Sequence, residues 1–179
     1  MTLPVSYGCW LLCSANVASA GAPWMIVASQ VCHLPFSMAY HICCARIASG
    51  VPVDDTPYRC LDQSGTHVMA TITFLCLSQS GVFTLVLALP WNAYCICMLW
   101  LRAKTEVRYS RFVRMFVSAL LALSPMAFNE QWRNWLGSMF CFAAGSALFG
   151  LDALLGGWGH PLMHVMGVPY IHYILTAAI

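Results

Sequence analysis

The chain has 179 residues, of which 60% are apolar and 8% charged, against about 25% charged in an ordinary soluble domain. Eight Lys and Arg against six Asp and Glu leave a formal charge of +2, and no basic patch with interleaved aromatics marks a nucleic-acid surface. This composition excludes a soluble domain and predicts an integral, multi-pass membrane protein of all-α class, a single seven-helix transmembrane bundle.

In chain order, low-charge stretches of roughly 20 residues, each long enough to cross a bilayer core of about 30 Å, recur along the sequence. A weaker first span is expected over 3–20, followed by spans over 24–46, 58–79, 82–101, 110–128, 134–153 and 160–178. The segment "ANVASAGAP" (15–23) also has the small residues of a signal-peptide end. The start "MTLPVSYGCW" has no Lys or Arg for a basic n-region, so a helix is the preferred reading. Apolar and polar residues do not alternate as they do in a membrane β-barrel.

Ten cysteines occur without a C-x-x-C pair, and eight fall in or close to the expected spans, where they read as small packing residues. Cys44 and Cys60 flank the loop from 47 to 57 and have the placement to pair in an oxidising compartment. Arg102, Lys104, Arg108, Arg111 and Arg114 surround one loop, Arg46 and Arg59 flank another, and Arg133 stands on the other side. The positive-inside rule then turns the loops after spans two, four and six to the cytoplasm, with the N-terminus inside.

Ionisable groups inside such spans are costly and each invites a functional explanation. Ser37 and His41 ("SMAYH") lie in the last turns of the second span, Asp62 ("CLDQSG") in the first turns of the third, and His160 and His164 ("GHPLMH") open the seventh. All five belong to the same side of the membrane. Residues four apart share a helical face, so His160 and His164 can reach one point, as can Ser37 and His41. Six histidines in this length give about 0.2 H-x-x-x-H pairs by chance, so the pair alone is only suggestive. Three neutral imidazoles plus a water make the open tetrahedral site of catalytic zinc. Asp62 would orient a histidine or accept a proton, and Ser37 would steady a water or an oxyanion.

Other polar residues have plainer readings. Ser29, His33, Ser37 and His41 form a ladder on one face, and His33 is expected roughly 12 Å deeper than His41. His33, His67 and His172 read as packing or interhelical hydrogen-bond residues, with His67 close enough in depth to Asp62 to contribute. Asp152 and Glu130, near span ends, read as solvated, and Pro161 sits in the first turn of its helix, where proline costs least.

Seven spans with S-x-x-x-H in the second, Asp in the third and H-x-x-x-H in the seventh resemble the CREST superfamily of membrane hydrolases. That group includes alkaline ceramidases, progestin and adipoQ receptors, post-GPI-attachment phospholipase-like proteins and myomaker. "FSMAYHIC" (36–43), a cysteine-bearing loop and an aspartate are most similar to the last two branches. The resemblance implies zinc on His41, His160 and His164, with Ser37 and Asp62 beside its water, and hydrolysis of an amide or ester bond in a membrane lipid. The alternative it implies is a structural zinc in a membrane-remodelling protein or receptor. The chain departs from the ceramidases in lacking their N-terminal acidic motif, and from many relatives in having no aromatic residue before the second histidine of "GHPLMH".

Overall fold

The computed structural model describes residues 2–14, 21–51 and 54–179. They are helical, with no strand among them: α1 (Thr2–Ser14), α2 (Gly21–Ala48), α3 (Thr56–Ser78), α4 (Gly81–Leu101), α5 (Arg108–Phe128), α6 (Trp132–Gly150) and α7 (Gly159–Ala178). The helices follow six of the expected spans to within a few residues. For the first, α1 ends at Ser14, and residues 15–20 of the expected span lie outside the described residues.

Two of these helices, Gly81–Leu101 and Tyr109–Phe128, are long and apolar enough to cross a membrane. Their outward faces have the matching character. On α4, Val82, Phe83, Leu85 and Val86 are all more than half exposed, a row of large apolar side chains that water would penalise and lipid would not.

Local sequence explains the helix boundaries. The Asp54 carboxylate accepts the Thr56 N–H at 2.9 Å and Pro57 occupies the first turn, so α3 starts there. It stops at Gln79, which adopts a left-handed conformation (φ 51°), and the Ser80 hydroxyl caps the next helix by accepting the Phe83 N–H at 3.3 Å. Within α4, residues Thr84–Ala88 form a π-helical turn immediately before Pro90. Proline has no N–H to give the preceding turn, and the wider turn absorbs the mismatch.

The chain divides into two compact units, with divisions inside α2 and α5. In one, α6 packs along α7 and α1 packs against α7. The contact face of α6 carries Gly137, Cys141 and Gly145 at four-residue intervals. A Cβ on Gly137 would meet the Tyr173 ring at 2.6 Å, so the close approach of α6 to α7 depends on small residues. Leu12, Leu123, Met126, Ile171, Ile174 and Leu175 are almost fully buried in this unit.

In the other unit α3 packs against α4. All ten cysteines are unpaired thiols; Cys60 donates to the Leu99 carbonyl rather than bonding Cys44. Next to α5, Glu106 accepts from both terminal nitrogens of Arg114, with Nη2 to Oε2 at 2.6 Å, and from the Ser110 hydroxyl at 2.6 Å. The Glu106 side chain is 4% exposed and that of Arg114 10%.

The Arg114 guanidinium holds Glu106 below the usual carboxylate range; burial opposes that shift and Ser110 adds to it. A carboxylate lowered in the folded state stabilises the protein above its unfolded pKa, and that contribution disappears as pH falls through the lowered value. Glu106→Gln, which leaves Arg114 buried without its counter-charge, should therefore cost about 3–5 kcal/mol at neutral pH. The penalty should shrink on acidification, as thermal unfolding in detergent at pH 7 and pH 3 will show.

Candidate functional site

His160 and His164 belong to the first unit, and Ser37, His41 and Asp62 to the second. In the first, the loop 151–158 turns through Gly156 and Gly157, both at positive φ (60° and 87°), and delivers the chain to the start of α7. There the Asp152 carboxylate accepts the His160 N–H at 2.8 Å. This is an acceptor at a helix N-terminus, placed where free N–H groups and the helix dipole favour negative charge. Asp152 is thus half-buried and engaged, not solvated as its sequence position suggests. Gly159 is buried at the same corner, where a Cβ would stand 2.7 Å from the Asp152 Cα and closer still to the Leu148 carbonyl.

These contacts position the first turn of α7, which carries the ring pair. The centroids of His160 and His164 are 5.0 Å apart with planes inclined at 35°, and the His160 ring meets Phe149 edge-on at 5.2 Å. The i, i+4 spacing that suggests one shared face produces two half-buried imidazoles side by side. Further along α7, His172 accepts from or donates to the Tyr7 hydroxyl at 2.9 Å, tying α1 to α7 in the interhelical role expected of it.

The second unit holds Ser37, His41 and Asp62. Ser37 is buried and His41 half-buried beside the Tyr40 ring. Asp62 stands 3.3 Å from His33 Nε2, so the histidine expected two turns away from the level of Asp62 is the one that reaches it. The reason is helix length. His33 lies 15 residues before the end of α2, about 22 Å, whereas Asp62 is six residues into α3, about 9 Å. The end of α2 therefore overshoots the start of α3, and counting turns from the helix ends misjudges the register between them.

The close approach depends on Gly65, where a Cβ would lie 2.9 Å from the His33 Cε1 and nearer to Nδ1. His33 Nδ1 is buried and has no hydrogen-bond partner among the described residues. His67 is almost fully buried, and its Nδ1 lies 2.9 Å from Asn92 Oδ1 and 3.0 Å from Ser118 Oγ. Ser118 also accepts from Trp91 Nε1 at 3.0 Å, and Asn92 donates to the Ala88 carbonyl at 2.9 Å. His67 thus joins α3, α4 and α5 through a polar network next to the π-helical turn.

Two members of this arrangement carry little advance signal. Asp152 is recognisable only as an acidic residue eight positions before a histidine, and Gly159 only as one more glycine in a glycine-rich turn. No protein-family model, curated protein or solved structure matches the chain.

Proposed function

We propose that the protein is a multi-pass membrane hydrolase, its seven helices spanning the bilayer, in which His41, His160 and His164 hold a zinc ion and an amide or ester bond of a membrane lipid is cleaved. The observation that carries this reading is the ring pair at the start of α7, with both imidazoles half-buried and the first held through its backbone by Asp152. All three histidines are half-buried and each offers one ring nitrogen, a donor set that suits zinc. Apolar composition and the lipid-compatible face of α4 support the membrane setting.

Zinc held there supplies Lewis acidity towards a carbonyl and brings the pKa of a water to about 7. The remaining tasks fall to the chain. Asp62, braced by His33, accepts a proton, and the buried Ser37 hydroxyl donates to the oxyanion that develops on the scissile carbonyl. Acyl chains approach along the exposed apolar helix faces. His67 is engaged by Asn92 and Ser118 and Asp62 by His33, which counts against either as a fourth protein ligand and so against a closed, structural zinc site.

The test is release of free fatty acid from a panel of bilayer lipids with ester-linked and amide-linked acyl chains, in vesicles containing the purified protein. Wild type should hydrolyse at least one class, with His164→Ala lowering the rate about 100-fold or more. Equal turnover by His164→Ala and wild type would refute the reading.

A further inference from the structure

The ends of α3, α4 and α5 in the second unit carry a surplus of positive charge whose pairing can be followed residue by residue. Arg59 pairs with Asp55 at 3.2 Å and donates to the Ala103 carbonyl at 3.0 Å; Glu106 is taken up by Arg114; Lys104 reaches Asp54 at 4.0 Å. The three carboxylates are thereby used. Arg111 is left with no carboxylate or carbonyl partner among the described residues, although it is half-buried and its Nε is fully shielded.

Its charged neighbours make this position more demanding. Arg59 acts on Arg111 as a like charge, and the opposing Glu106 is already committed to Arg114. A cation needed only to set membrane orientation can sit in water, as the exposed Arg46 does. A half-buried guanidinium with no carboxylate of its own calls for an anion. Phosphate matches best, because its oxygens accept the parallel N–H pair of a guanidinium.

Position identifies the source of that phosphate. The first helix able to cross a membrane ends at Leu101 and the second begins at Tyr109, so Arg111 lies within one turn of an apolar boundary. Trp100 and Tyr109, at the two ends of the intervening loop, are exposed, the residue types that settle at the headgroup level. We propose that Arg111 binds the phosphate of an anionic membrane phospholipid. The site rests on the membrane setting alone, and its failure or success is independent of the histidines and of lipid hydrolysis.

The full chain in neutral detergent, titrated with dioctanoyl phosphatidic acid and followed by tryptophan fluorescence, tests this directly. The anionic lipid should bind about 10-fold more tightly than dioctanoyl phosphatidylcholine, and Arg111→Gln should remove most of that preference. Arg46→Gln should leave it unchanged. Arg111→Lys, which keeps the charge but not the fork, should weaken binding by about threefold and decides the matter if Arg111→Gln does not fold. The proposal is overturned by equal losses in Arg111→Gln and Arg46→Gln, by an unaltered affinity in Arg111→Lys, or by inorganic phosphate displacing the lipid at equal concentration.

Discussion

Gly159→Ala should cost about 3 kcal/mol or more of stability, although alanine in a helix is ordinarily the better residue by about 1 kcal/mol. The added methyl would fall 2.7 Å from the Asp152 Cα, 3.1 Å from its nitrogen and closer still to the Leu148 carbonyl. These are backbone atoms at the junction of α6 and α7, with no side-chain rotamer available to relieve the overlap. Relief requires the first turn of α7 to move outward, breaking the bond from His160 N–H to Asp152 and turning both imidazoles away from their present face. Gly150→Ala is the matched control, since a Cβ there meets nothing within 4 Å, and it should be neutral or mildly stabilising. Thermal unfolding of both variants, with zinc content measured alongside, separates a local steric effect from a general intolerance of substitution.

The second large effect is expected at Gly65. A Cβ there would overlap the His33 ring, 2.9 Å from Cε1 and 3.2 Å from Cγ. The ring is buried and cannot swing into solvent, so the cost should be about 1–3 kcal/mol, with α2 and α3 forced apart. Asp62 would then lose the histidine that braces it. If Asp62 accepts a proton during hydrolysis, Gly65→Ala should lower turnover by more than its stability loss explains, with Gly81→Ala, which meets open space, as the unaffected comparison. A Gly65→Ala protein with wild-type stability and wild-type turnover would show that the contact between His33 and Asp62 is incidental.

The helices and the histidine pair were legible in the sequence for simple physical reasons. Spans of apolar residues bounded by polar turns leave few alternatives to helix, and a four-residue spacing places two side chains on one face whatever the helix packs against. Contacts between helices were less accessible. His33, not a residue at the counted depth, meets Asp62, because register depends on how far α2 overshoots α3 and on whether a glycine permits the approach. The role of Asp152 depends on the loop through Gly156 and Gly157 folding back to the start of α7, a conformation set by backbone dihedrals that residue spacing does not reveal. The same limit applies to Arg111: a run of basic residues signals orientation, and only burial and the pairing pattern around it show which half-buried cation has no carboxylate partner.

Elemental analysis of the protein purified without chelators or added metal tests directly whether the histidines hold a metal. Wild type should carry about one zinc per chain, falling to a small fraction of that in the His160→Ala, His164→Ala double variant while helical content by circular dichroism is retained. Wild-type protein without zinc, or a double variant that keeps it, would contradict the account.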